Sequence, residues 1–239
     1  MNRRVIWLLV AAFLFSSGFG GPAPKTPGHV DGNRKAQPGE MAFPTEMPID
    51  NFEDQNTSTN PEWWSFDKIT LNVVPTGRLV EGDENVRATV GGYALNLRGE
   101  STDWYVGGLG TYFARSRVDL SFLKKLELDV YGIGENTGTL KFELADDDNG
   151  NYKFEYDENW IPLFDDRWTF ELPIDWKGWK HVEILFSEFR VDNPGRGNGI
   201  WDIEQMDGSG GLLQMQIIAI SRGREGAINP TMDNLKLSK

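Results

Sequence analysis

The sequence predicts an all-β chain: an antiparallel β-sandwich of the jelly-roll type. Apolar residues recur with a period of two in several short segments. Turn residues (Gly, Asn, Asp, Pro) separate those segments at steady intervals. No long stretch carries a helical period, and no internal repeat is present. Short alternating strands with frequent turns indicate a sandwich or jelly roll.

The elements follow in chain order. Arg3 and Arg4 precede an apolar run, Val5–Phe15, and then small residues Ser16 to Gly20. That pattern is a secretory signal peptide, expected over residues 1–20, with cleavage between about Gly18 and Ala23. Residues 21–47 are rich in Pro, Gly and small polar residues and read as a flexible tether. The sandwich domain is expected over 48–239, long enough to bury a sizeable core. Strands are expected at Tyr93–Arg98, Leu126–Tyr131, Leu140–Leu144, Tyr152–Tyr156, Trp168–Ile174, Val182–Phe186, Leu212–Ile220 and Met232–Leu237. Asp146–Asn151, with its Asn149-Gly150 pair, reads as a solvated hairpin turn between two of them. An EF-hand frame on Gly150 fails, because it would start at Ala145 and end at Tyr156.

Composition narrows the function. There are 36 acidic against 24 basic residues, a formal charge of −12. Such a surface repels phosphate backbones and anionic membranes, so neither nucleic acid nor membrane insertion of the mature chain is expected. The chain has no cysteine, so disulfides and thiol chemistry are excluded. Nine Trp are more than a core usually needs, so some rings are expected at the surface. The two histidines give catalysis little to work with. His29 falls in the tether, and His181 alternates with Val182 as a surface or edge residue. The many carboxylates offer pairs for glycoside hydrolysis without any specific spacing. Gln214 and Gln216 share one strand face, opposite Met215, Ile217 and Ala219. Asn96 and Arg98 likewise share a face, opposite Leu95 and Leu97.

The ends of the domain carry a family likeness. It opens on Ile49-Asp50-Asn51-Phe52-Glu53-Asp54 and closes on Met232-Asp233-Asn234-Leu235-Lys236-Leu237. Between them lie WKHVEILFSEF (Trp179–Phe189) and KKLELDVYG (Lys124–Gly132). These segments resemble galactose-binding-like jelly rolls, in particular family 11 carbohydrate-binding modules. The complex I intermediate-associated protein 30 family shares the end pattern. The resemblance implies a structural Ca²⁺ between the first and last strands, with Glu53 and Asp233 as side-chain ligands. It implies a sugar-binding role for Tyr105, within Asp103–Gly107, and for Arg190 and Asp192 after Phe189. Trp104 is expected at the edge of that site, and Gln214 and Gln216 within it. Two family aromatics are missing: Gln216–Ile220 carries none, and Asn193-Pro194-Gly195 stands where a Tyr is expected. Trp63, Trp64, Tyr112, Trp160, Trp176 and Trp201 are the rings available to substitute.

The expected function is non-catalytic binding of a neutral poly- or oligosaccharide on the concave face of the sandwich. The chain is expected to be a monomer in a secreted, periplasmic or cell-envelope setting. The alternatives are a cell-envelope structural or assembly protein that binds another protein, and a glycan-active hydrolase or lyase.

Overall fold

The computed structural model describes residues 45–113, 120–135, 137–158, 161–203 and 210–239. The expected signal peptide, the tether up to residue 44, and Trp160 lie outside the described residues.

Two antiparallel sheets form a sandwich. The first has seven strands: β1 (Glu46–Asp50), β3 (Thr70–Pro75), β4 (Tyr93–Ser101), β6 (Lys125–Ile133), β9 (Lys177–Leu185), β12 (Gly226–Ile228) and β13 (Thr231–Ser238). The second has six, ordered β10 (Arg190–Val191), β8 (Arg167–Ile174), β7 (Gly138–Asp147), β11 (Gly211–Ile220), β5 (Tyr105–Tyr112), β2 (Trp64–Asp67). From β4 onward the chain crosses repeatedly between the sheets, which is jelly-roll connectivity. The one α-helix among the described residues, α1 (Glu84–Thr89), is capped by Asp83, whose carboxylate accepts the Asn85 N–H at 2.8 Å. No helix among the described residues is long and apolar enough to cross a membrane.

The period-two pattern places the core. Leu126, Leu128 and Val130 of β6, with Leu95 and Leu97 of β4, face Leu140, Phe142 and Leu144 of β7 and Met215, Ile217 and Ala219 of β11. A smaller cluster of Val86, Ala94 and Trp179 lies beneath α1. His181 stands exposed on β9, an edge strand, with Nδ1 2.7 Å from Asp129 Oδ1. β1 begins at Glu46, pairing with Ser238.

Two expectations need correction. Tyr152–Tyr156 alternates well but is not a strand. Asp147 accepts the N–H groups of Asn151 (3.2 Å) and Tyr152 (2.6 Å), and Asn151 Oδ1 accepts that of Lys153 at 2.7 Å. These local bonds curl the backbone away from a ladder. Tyr152 sits at φ 60°, which an extended strand does not allow. β7 pairs instead with β8 and β11. The turn at Asp146–Asn151 is also not simply solvated, because Asp146 and Asp147 are both 0% exposed.

Candidate functional site

The outer face of the six-stranded sheet is a grid whose rows are fixed by strand register. In one row Tyr112 of β5 lies beside Gln214 of β11, Ala145 of β7 and Arg167 of β8. The next runs from Trp64 through Gly110, Gln216, Glu143 and Thr169 to Arg190. A third holds Phe66, Gly108, Ile218, Lys141 and Glu171. Tyr105 and Ile220 begin a fourth. The inward positions between these rows, such as Leu109, Ile217 and Phe142, are core, so alternation turns the rows outward.

One end of this face is aromatic. β5 carries glycine where β2 needs room. A Cβ built on Gly110 would lie 2.4 Å from Trp64 Cζ2, and one on Gly108 would lie 2.5 Å from Phe66 Cζ. Both rings therefore lie across bare backbone. The Trp64 and Tyr112 rings lie 4.5 Å apart at a tilt of 32°, and Tyr112 is 65% exposed. The adjoining region is polar. Lys141 Nζ sits 2.7 Å from Glu143 and 3.0 Å from Asp192, while Arg167 Nε sits 2.7 Å from Asp192. Both carboxylates are thus held in ion pairs.

The structure places the six expected ligand residues on or beside this one sheet. Tyr105 is half-buried and its hydroxyl donates to Asp67. Burial, with the Asp67 carboxylate, pushes its phenol up from its usual value. Trp104 forms the turn before β5. It has φ 61°, and its N–H and carbonyl are tied to Arg224 (2.9 Å) and Ser221 (2.7 Å). Asp192 joins the central ion pairs. Arg190 is exposed and donates to the carbonyls of Ser187 (2.8 Å) and Phe189 (2.9 Å), toward the end of the sheet. Gln216 is partly exposed, whereas Gln214 is buried and donates to the Tyr156 hydroxyl at 3.0 Å. Burial pushes the Tyr156 phenol up to about 12.

Sequence reasoning missed Arg167, Lys141, Glu143, Phe66 and Tyr156. The first three alternate with core residues, and that pattern could have assigned their face. Of the substitute rings, Trp64 and Tyr112 are on this face. Trp63 is buried and Trp176 and Trp201 pack against the core.

The expected calcium ligands do come together. Asp233 is fully buried at a bulge in β13, with Asn234 at φ 52°. It accepts the N–H groups of Gly91 (3.0 Å) and Asn234 (2.8 Å), while Glu53 accepts that of Tyr93 at 2.9 Å. Burial, the Asp129 and Glu53 charges adding to it, pushes the Asp233 carboxyl up to about 6. Neither Glu53 nor Asp233 pairs with a lysine, arginine or histidine of the described residues. An uncompensated pair of hard oxygen donors suits a calcium ion.

Other acidic groups could also hold a metal ion: Glu127, His181 and Glu183, and separately Asp146, Asp148 and Asp202. The first group already has cations, since Lys125 Nζ lies 2.9 Å from Glu127 and 2.5 Å from Glu183.

No protein-family model matches the chain, and no curated protein is similar to it in sequence. Solved structures are similar to it. A family 11 carbohydrate-binding module of a cellulosomal cellulase of Clostridium thermocellum aligns at 20% identity and TM-score 0.49, covering 81% of this chain and 94% of that one. A family 11 module of the same organism in complex with a β-1,3-1,4-mixed-linked tetrasaccharide gives 20% and 0.49, with 81% and 95% covered. The N-terminal modules of endo-1,4-β-D-xylanase 10B of Clostridium thermocellum, complexed with xylohexaose, give 13% and 0.44, covering 81% of this chain and 28% of that one.

Proposed function

We propose that the outer face of the six-stranded sheet binds a neutral oligo- or polysaccharide without breaking any bond. One observation carries this reading: a Trp64–Tyr112 platform laid beside Gln216, Glu143, Lys141, Asp192 and Arg167 on one continuous face. Sugars present apolar C–H faces and hydroxyl edges. Aromatic rings cover the first, and amide, carboxylate and cationic groups bond the second. Both carboxylates are engaged by Lys141 and Arg167, which suits binding better than acid–base work. Tyr105 and Trp104 extend the face at one end, and Arg190 at the other. Gln214 contributes by holding Tyr156.

Isothermal titration of the purified chain against β-glucans, mannans and xylans tests the proposal. Trp64→Ala, Tyr112→Ala and Tyr105→Ala are each expected to lose more affinity than Gln214→Ala. If the wild type binds none of these glycans, the reading fails and a protein-binding role takes its place.

Glu53 and Asp233 would hold Ca²⁺ between the ends of the domain. The expected outcome is a melting temperature that rises with calcium, falls with chelator, and stops responding at this site in Asp233→Asn. A response unchanged by that substitution sinks the assignment. The Arg3-Arg4 leader directs the chain out of the cytoplasm in this reading, and intact mass of secreted material retaining Met1 would refute cleavage.

A further inference from the structure

We propose that Asp146, Asp148, Asp166 and Asp202 form a calcium site that ties the end of β7 and the start of β8 to the loop before β11. This group is separate from Glu53 and Asp233 and does not depend on the glycan reading.

The argument starts from burial. Asp146 and Asp166 are both 0% exposed, and Asp148 is partly exposed. One carboxylate oxygen of each, Oδ1 in all three cases, is buried without a hydrogen-bond partner. Unpartnered buried carboxylate oxygens are costly and need an explanation. The other oxygens are spoken for. Asp146 Oδ2 accepts from the Trp168 indole (3.1 Å) and the Asp202 N–H (3.4 Å), Asp148 Oδ2 from the Asn198 N–H (3.0 Å), and Asp166 Oδ2 from the Gly199 N–H (2.5 Å). These bonds orient the carboxylates. Asp146, Asp148 and Asp202 each offer a ligand atom, and those atoms lie within 4.8 Å of one another.

No lysine, arginine or histidine of the described residues pairs with Asp146, Asp148 or Asp166. The backbone also closes tightly here. A Cβ on Gly197 would meet Asp148 Oδ2 at 1.9 Å and the Asp166 carboxyl carbon at 2.5 Å. Only a residue without a side chain lets that loop approach.

The donor set selects the ion. All the ligands are hard carboxylate oxygens, with no imidazole or thiolate, which excludes a preference for zinc or copper. Ca²⁺ takes 6–8 oxygens in flexible geometry, whereas Mg²⁺ demands a near-ideal octahedron. Carboxylates gathered from the end of β7, the β7–β8 connection and the loop before β11 suit the first.

Terbium luminescence reads the site directly, because the Trp168 indole is bonded to a ligand and sensitises a bound lanthanide. Titrations use the full chain carrying Asp233→Asn, which leaves this group alone. Calcium is expected to bind once per chain and to displace terbium, with magnesium at least tenfold weaker. Asp148→Asn and Asp202→Asn should each weaken calcium at least tenfold. They should melt higher than their parent in chelator and lower in calcium, a sign reversal that a purely packing role does not produce. Wild-type calcium stoichiometry and affinity in both variants, or melting shifts of one sign in both conditions, would overturn the proposal. Equal displacement by magnesium would overturn the calcium assignment.

Discussion

Gly110→Ala tests whether the aromatic platform is built on bare backbone. The added Cβ would sit 2.4 Å from Trp64 Cζ2, 2.7 Å from Cε2 and 3.0 Å from the Met215 carbonyl oxygen. Carbon pairs prefer ~3.5–4.0 Å, so the indole must move by about 1 Å. Gly110 does not occupy the left-handed region, so alanine strains no dihedral there. The cost is overpacking alone, ~1–3 kcal/mol. For a domain of this size that lowers the melting temperature by roughly 2–12 °C. Gly77→Ala is the control. Its Cβ meets nothing within 4 Å, and it is expected to be neutral or stabilising. A double-mutant cycle with Trp64→Ala supplies the second reading. With the indole gone most of the penalty should vanish, leaving a coupling of about 1 kcal/mol or more. Glycan titration should show Gly110→Ala losing affinity along with Trp64→Ala. A Gly110→Ala melt equal to that of Gly77→Ala, or a coupling of zero, would refute the reasoning.

Phe142→Ala removes a fully buried ring from the centre of the sandwich and is expected to cost ~3–5 kcal/mol in urea melts; a loss under 1 kcal/mol would mean the core collapses around the gap. Burial opposes ionisation of Glu127, but the Ser238 hydroxyl and the Lys125 and Lys236 ammoniums outweigh it and hold its carboxyl below the usual value. A lowered folded value stabilises above the unfolded pKa, and the benefit is lost as pH falls through the folded one. Glu127→Gln should therefore lose stability at neutral pH and approach wild type in acid, and a gap that stays constant across this range counts against the ion-pair account.

The sequence was most readable where one face of a strand is buried. Leu126, Leu128 and Val130 alternate with Glu127, Asp129 and Tyr131 because the first set joins the apolar core between the sheets, while Glu127 and Asp129 on the other face are buried in polar contacts with Lys125 and His181. β5 was illegible for the opposite reason. Its centre is Gly107-Gly108-Leu109-Gly110, and glycine carries no hydropathy signal. Those glycines are nevertheless what seats Trp64 and Phe66. Tyr152–Tyr156 shows the reverse error, where perfect alternation lost to side-chain bonds from Asp147 and Asn151. On the candidate face, the pattern of Gln214 and Gln216 was visible within one strand. That Asp192 meets Arg167 and Lys141 depends on register across β7, β8 and the end of β10, and no single segment encodes it.

The pairing of β1 with β13 has a mechanical consequence. Glu46 opposes Ser238, and the Lys239 N–H reaches back to the Thr45 carbonyl at 3.2 Å. The chain therefore enters and leaves the domain at one corner of the seven-stranded sheet. A load drawn between the two ends would open this ladder like a zipper, one residue pair at a time, instead of shearing all its bonds together. The domain would yield first by peeling β1 at low force, with the six-stranded sheet and its rings still intact.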